Sequence, residues 1–350
     1  MSTQKFLNQY LESQRLLKTT PSIFKTFPPH PFTKHSLHWP VDLSLRNNRL
    51  GNLLAQFQSY YYGYPYFHGG VDIISQAGEP VFATVDGKIE AGFYNYVASG
   101  NGYFEKKFIP YGEHKGKEEA RDQYFEIAII HKSGYRFEFH HIDPNKIPND
   151  ILIKIKSGGS IKVGEIIGYV IPFHSKTLGE NYDHIHYNII SPSGIKMNPE
   201  WFSQLISDRV SPKISALWVM DTQGQLTPVH EGFQLSFNPT EFIVESFDQK
   251  DDLFYFHQPH KITLLFESGQ KTEWNFSYAL ADENFMPPNI FDYFVPFISI
   301  NHQKIYTEGD YDHFRFFNRL QIPPGASGPF SIIIEDAHGN TAKFSATILP

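Results

Sequence analysis

Short segments in which apolar and polar residues alternate recur along this chain, and glycine, proline, asparagine or aspartate closes each one. A period of two belongs to a strand with one buried face, because successive side chains leave a strand on opposite sides. YFEIAIIH (124–131), YRFEFHHI (135–142) and HIHYNII (184–190) are such segments, and Lys132-Ser133-Gly134 joins the first two as a hairpin. PVFATVDGKIEAGF (80–93) reads as another hairpin, turning at Asp86-Gly87. An aromatic content of 16%, with 24 prolines and 25 glycines, favours strands over a helical bundle. The expected fold class is mainly β.

Length and texture divide the chain into three. Phe6, Tyr10, Leu11 and Leu17 fall near helical spacing, so a short amphipathic N-terminal helix is expected over 3–18. TPSIFKTFPPHPFTKH (20–35) holds four prolines and reads as a linker, which makes 1–38 an N-terminal helix and proline-rich linker. Strand texture fills 39–206. Between Gly92 and Gln123 it is interrupted by what reads as a solvated surface loop with one helical turn, carrying HKGKEEARD (114–122). DRVSPK (208–213) reads as a junction. Beyond it, ISALWV, GFQLSF, FIVESF, HKITLLF and TEWNFSY precede a final pair turning at Asp336–Asn340. That cadence predicts an immunoglobulin-like β-sandwich over 212–350.

Composition excludes several classes. The net charge of −7 comes from 37 acidic and 30 basic residues with no basic block, which argues against nucleic acid. Zero cysteines removes disulfides, thiolate zinc sites and cysteine nucleophiles, and leaves the compartment open. No run approaches the roughly 18 apolar residues of a membrane span, so no transmembrane segment is expected. The first twenty residues hold no apolar stretch of signal-peptide type.

Seventeen histidines pose the chemical question, and spacing selects among them. His184-Ile185-His186 lies in a strand, so both imidazoles leave one face while Ile185 leaves the other. His68 and Asp72 flank Gly69-Gly70, a turn that brings backbone close to something. Phe139-His140-His141-Ile142 ends a strand, and alternation places only one of its histidines on a given site. Two histidines and a carboxylate suit zinc with a fourth position left for water, whose pKa the metal lowers toward about 7. Neighbouring histidines then serve proton transfer and oxyanion stabilisation. No H-E-x-x-H helix is present, so a thermolysin-type design is excluded.

In their order and context these elements resemble the M23 peptidases, also called lysostaphin-like or LytM-like, over roughly 64–202. H-x-G-x-D appears as His68-Gly69-Gly70-Val71-Asp72. G-x-P-V-x-A-x-x-D-G appears as Gly78, Pro80, Val81, Ala83, Asp86 and Gly87. Y-x-H-L appears as Phe139-His140-His141-Ile142, which selects His141. V-x-x-G-x-x-I-G is similar to the stretch holding Val163, Gly164, Ile167 and Gly168, and the closing H-x-H is His184-Ile185-His186, followed by Asn198-Pro199. The sequence departs from the pattern in Phe139 for Tyr, in the long 93–123 excursion, and in Gly179–Asp183, which lacks the usual approach to H-x-H. The last two departures bear on specificity.

The resemblance implies an antiparallel LytM-like metallopeptidase domain and one Zn2+ per chain, held by His68, Asp72 and His186. His141 and His184 would be the catalytic pair, with base and transition-state roles not assigned by position. It further implies a zinc metalloendopeptidase cutting peptide cross-links of bacterial peptidoglycan, with stem peptides as partners, in the cell envelope, periplasm or secreted. The C-terminal domain would position it on the wall or against an envelope protein. The alternatives are a non-hydrolytic wall-binding or regulatory module of the same fold, and a protease of protein substrates. His131, His140 and His174 are expected in structure or at the groove rim. The C-terminal histidines share no ligand spacing, and Asp336, His338 and Asn340 read as a hairpin turn rather than a cation loop. Tyr60, Tyr61, Tyr62, Tyr64 and Tyr66 read as a core strand or a groove wall.

Overall fold

The computed structural model describes residues 30–45, 49–59, 65–98, 104–114, 121–174, 182–236, 239–253, 256–277, 290–295, 297–300, 303–306 and 316–349. The helix expected over 3–18 and the tyrosines at 60, 61, 62 and 64 lie outside these residues. The fold is mainly β, with largely antiparallel sheets and few, short helices among the described residues.

The strands before residue 200 begin with β1 (Phe57–Ser59), β2 (Pro65–Phe67), β3 (Val71–Ile74), β4 (Pro80–Phe82), β5 (Gly87–Ala98) and β6 (Phe104–Pro110). They continue with β7 (Phe125–Ile130), β8 (Arg136–His140), β9 (Ser160–Ile161), β10 (Ile166–Tyr169), β11 (His184–Ile190) and β12 (Lys196–Met197). One sheet runs β12-β11-β8-β7-β5-β6, with β3 on β11 and β9 on β5.

Register explains the two faces of this sheet. His186 stands opposite both Asp72 and His140, Asn188 opposite Glu138, and Glu126 opposite His140. The residues between them, among them Ile73, Ile185, Tyr187, Phe139, Phe137 and Ile127, form the other face and are fully buried in one hydrophobic cluster. Each such side chain stabilises the fold by about 1.5–3 kcal/mol. A one-residue slip of β11 would turn His184 and His186 into that core, so the apolar face fixes the polar one.

Two local expectations fail. Asp86-Gly87 is not a hairpin turn: β4 pairs with β10, whereas β5 pairs with β6, β7 and β9. A type I′ turn needs positive φ at both central residues, and neither Asp86 nor Gly87 has it. Asp86 instead accepts from the Val163 N–H at 2.9 Å and the Lys162 ammonium at 2.8 Å. The residues described directly after Gly92 are not a surface loop either, whereas 99–103 and 115–120, which hold most of the charge run, lie outside the described residues. β5 continues to Ala98, and β6 returns along it from Phe104 opposite Ala98 to Pro110 opposite Gly92. Short 3₁₀ turns follow at Tyr111–Glu113 and Asp122–Tyr124. The Lys132–Gly134 turn does join β7 to β8, with Gly134 at φ +83°.

The described end of the proline-rich stretch is pinned to the core. The Phe32 ring packs edge-on against Tyr135 and Phe137, and Leu37, Trp39 and Val41 are buried. His35 N–H donates to the Trp201 carbonyl, and the Trp39 indole donates to that of Gln204.

After the junction come β13 (Lys213–Met220), β14 (Leu226–Pro228), β15 (Gln234–Leu235), β16 (Glu241–Phe247), β17 (Lys261–Phe266) and β18 (Lys271–Asn275). They are followed by β19 (Phe297–Ile300), β20 (Gln303–Tyr306), β21 (Phe317–Gln321), β22 (Gly328–Glu335) and β23 (Thr341–Ile348). Two sheets, β14-β13-β16-β21 and β15-β23-β22-β17-β18, contribute to a second hydrophobic cluster. Leu54, Ala55 and Phe57, from the segment that precedes His68, belong to this cluster too.

Candidate metal centre

Three strands and one turn bring the site together. β3 supplies Asp72, β11 supplies His184 and His186, the end of β8 supplies His141, and His68 stands on the turn before β3. His68, Asp72 and His186 are buried and each offers one ligand atom within 4.8 Å of the other two. Asp72 Oδ1 is the hub, 3.2 Å from His68 Nε2, 2.8 Å from His186 Nδ1 and 3.7 Å from His184 Nε2.

The groups behind these side chains set which atoms face inward. His68 Nδ1–H donates to the Leu53 carbonyl at 3.0 Å, which leaves Nε2 as a lone pair directed at Asp72. Asp72 Oδ2 accepts from the Asn52 amide at 3.0 Å and the Tyr182 hydroxyl at 3.2 Å, which turns Oδ1 toward the two histidines, where its bond with His186 Nδ1 at 2.8 Å is the contact a metal would replace. Asn52 is itself held by Gln56, whose amide donates to its carbonyl oxygen at 3.0 Å. Partners of this kind orient metal ligands. Burial alone would raise the Asp72 carboxyl, but His68, His184 and the bond from His186 outweigh it and hold the group well below the usual range. Burial brings His186 down to about 4, so the imidazole is neutral at pH 7. Two imidazoles and a carboxylate suit a zinc-type divalent ion, and the converging atoms could hold one.

His141 and His184 face each other at 4.5 Å between ring centroids. Each donates Nδ1–H to a carbonyl at 2.7 Å, Gln123 for His141 and Tyr182 for His184, which leaves both Nε2 atoms as acceptors. Phe173 packs on both rings. Burial lowers both pKa values, so both are uncharged at neutral pH. Strict alternation would turn His141 away from the site. It lies one residue past β8 at φ +64°, in the left-handed region, and this returns its ring toward His184. His140 therefore shares the polar face as well, its ring 5.1 Å from that of His186.

His140 belongs to a buried ion network behind the site. Its Nε2 lies 3.1 Å from Glu138 and 3.4 Å from Glu126. Lys106 reaches both carboxylates, at 2.9 and 2.5 Å, and so does Arg136, at 2.8 and 3.0 Å. Burial and the neighbouring Glu138 push Glu126 up to about 7. With two cations already on the two glutamates, the cluster reads as support for β8 and β11. His131 lies at the surface beside Ser133, and His174 is exposed.

Sequence reasoning missed Asn52, Gln56 and Tyr182. Tyr182 lies in the stretch that departs from the M23 pattern, and it acts on the carboxylate of Asp72 rather than only on a substrate loop. A cleft of about 720 Å³ between Phe32, Leu37, Val85 and Lys162 has none of the five site residues in its lining.

No family model and no curated protein matches the chain. Several solved structures share part of its shape. Csd3 of Helicobacter pylori is 16% identical with a TM-score of 0.29, and the match covers 56% of this chain and 37% of that one. A Pseudomonas aeruginosa protein described as an M23 peptidase is 18% identical at TM-score 0.28, over 57% of this chain and 60% of its own. A zinc-containing peptidase from Vibrio cholerae is 19% identical at TM-score 0.26, over 45% of this chain and 38% of its own. Each of these three matches spans less than two thirds of the other protein. At such scores the chemistry has to follow from this chain's own residues.

Proposed function

We propose that the chain is a zinc metalloendopeptidase of the M23 type, with LytM-like topology in 39–206 and a β-sandwich over 212–350. His68, Asp72 and His186 would hold one zinc at this site, and peptidoglycan stem peptides in the cell envelope would be the substrate. The observation that supports it most is the convergence of two imidazoles and one carboxylate beside a second histidine pair whose Nε2 atoms are free to take protons. Bound zinc supplies Lewis acidity and lowers the pKa of water toward about 7.

The protein's own groups then do the rest. Asn52 and Tyr182 keep Asp72 Oδ1 turned toward the ligand set. The Leu53 carbonyl fixes the tautomer of His68. His141 and His184, uncharged at neutral pH, accept a proton at Nε2. Once charged, either returns it to the leaving amine or donates a hydrogen bond to the oxyanion. Phe173 against both rings shields the pair from water on one side. Residues 212–350 would place this groove on the wall or against an envelope protein.

The test is purified peptidoglycan incubated with the zinc-loaded chain, with released fragments read by mass spectrometry. New amine termini within cross-links are expected. Stoichiometric zinc with intact peptidoglycan would overturn the reading in favour of a binding module. Cleavage confined to unfolded proteins would overturn the substrate.

A further inference from the structure

The turn between β22 and β23 is a hairpin turn, as its sequence predicts, and the Asp336 side chain closes it as an Asx turn. Asp336 Oδ1 accepts from the His338 and Asn340 N–H groups, each at 2.8 Å, and Oδ2 accepts from the Asn340 amide at 2.7 Å. That amide also donates to the carbonyl of Asp208, in the connector that precedes β13. The hairpin tip and the connector are thus held together, and the space between them is polar and buried.

Its charges do not balance. Four carboxylates, those of Glu200, Asp208, Asp248 and Asp336, meet one buried ammonium, Lys250. Lys250 Nζ stands 3.2 Å from Glu200, 3.3 Å from Asp248 and 3.7 Å from Asp208. Uncompensated buried charge is costly. Unpartnered atoms gather at the same place. Asp208 Oδ2, on a side chain with 0% exposure, has no hydrogen-bond partner among the described residues, nor has either ring nitrogen of His338. These two groups point at each other, Oδ2 to Nδ1, across 3.8 Å.

One ligand atom from each of Asp208, Asp336 and His338 lies within 4.8 Å of the others. Around a tetrahedral ion with bonds near 2.1 Å, ligand atoms sit about 3.4 Å apart, so a few tenths of an ångström closes the Asp208–His338 gap. We propose that Asp208, Asp336 and His338 form a second divalent-cation site, which staples the connector to the β22–β23 hairpin. An imidazole among the donors selects a zinc-class ion over calcium or magnesium. The ion gives Asp208 Oδ2, which Lys250 Nζ meets only at 3.7 Å, and the His338 ring a partner at bonding distance, and it offsets the excess negative charge.

A proton is the competing solution. Burial, reinforced by Asp336, Asp208 and Glu200, pushes the Asp248 carboxyl up to about 7. Metal counting separates the two. The full chain is stripped by chelator, reloaded with zinc chloride and dialysed against a weak competing chelator before zinc per chain is measured. The proposal expects two zincs in the parent, one in His338→Ala, one in His186→Ala and none in the double variant. Zinc should also raise the melting temperature of His186→Ala and leave that of the double variant unchanged. His338→Ala holding as much zinc as the parent overturns the staple, as does a zinc-free His186→Ala. Should His338→Ala not fold, Asp208→Asn keeps the volume and should likewise lose one equivalent. Unchanged zinc in His186→Ala beside a loss of one in His338→Ala would instead count against the peptidase centre alone.

Discussion

The ring of His141 meets that of His184 at 4.5 Å only because His141 takes φ +64° where its strand ends. A non-glycine residue in this region costs about 1–2 kcal/mol. His141→Gly and His141→Ala both remove the imidazole, but only glycine relieves the backbone. The glycine variant should therefore be the more stable by about 1 kcal/mol, read by urea denaturation. Equal stability would mean that His141 is not held in that conformation.

His141→Ala and His184→Ala should each keep zinc at the His68 centre and lose hydrolysis by roughly 10²–10⁴-fold. Zinc content and peptidoglycan turnover are measured on the same preparations. Near-parental turnover in either variant removes that residue from the mechanism.

Ligands and their supports should separate by degree. His186→Ala leaves two donors and should release zinc from this centre. Asn52→Ala and Tyr182→Phe leave all three donors but free Asp72 to rotate, and should weaken zinc by about 10–100-fold. A competition titration against a chromogenic chelator reads all three. Unchanged affinity in both support variants would show that Asp72 is oriented by other means.

Gly70 lies one residue before β3, close against β11. A Cβ there would stand 2.0 Å from Asn188 Oδ1, 2.5 Å from the Tyr187 carbonyl oxygen and 3.1 Å from His186 Nε2. At Gly69 it would meet only the flexible end of Lys196, at 2.2 Å. Gly70→Ala should cost about 1–3 kcal/mol and loosen zinc, with Gly69→Ala closer to the parent. The reverse order in thermal melts would contradict this placement.

Acid should weaken the contact between the two clusters through His260, which bonds Ser277 and Asn198. Burial lowers its pKa from 6.5 to about 4. Between those values the unfolded chain binds a proton that the folded chain refuses. The contribution is complete above about pH 6.5 and is lost as pH falls through 4. Replacing His260 with Gln should flatten the fall in melting temperature over that window; an unchanged slope would show that His260 does not set it.

Much of the site was legible because strands repeat every two residues. His184, His186 and the apolar side chains between them announce their faces, and the His68–Asp72 spacing marks a turn into a strand. His141 was not legible as geometry, since a left-handed residue past a strand end breaks the alternation that described its neighbours. Asp86-Gly87 misled for the opposite reason. Its local chemistry favours a tight turn, but Val163 and Lys162 claim the aspartate and β10 claims the preceding strand. Asn52 and Tyr182 left no signal, because they meet Asp72 only through folding. Asp336, His338 and Asn340 read from the sequence as a hairpin turn rather than a cation loop, and Asp208 could not be joined to them, because it lies across the junction and no spacing rule connects it to the hairpin.

Leu54, Ala55 and Phe57 lie in the hydrophobic cluster of the C-terminal sheets, directly after Asn52 and Leu53, which steady Asp72 and His68. The segment is a lever with one end in each half. Grafting another protein's C-terminal sheets onto residues 30–206 would seat those three side chains in a foreign core and shift the lever. Modular exchange would therefore have to carry residues 49–57 along with the sheets, and inheritance of the two halves is coupled through a stretch that contains no ligand.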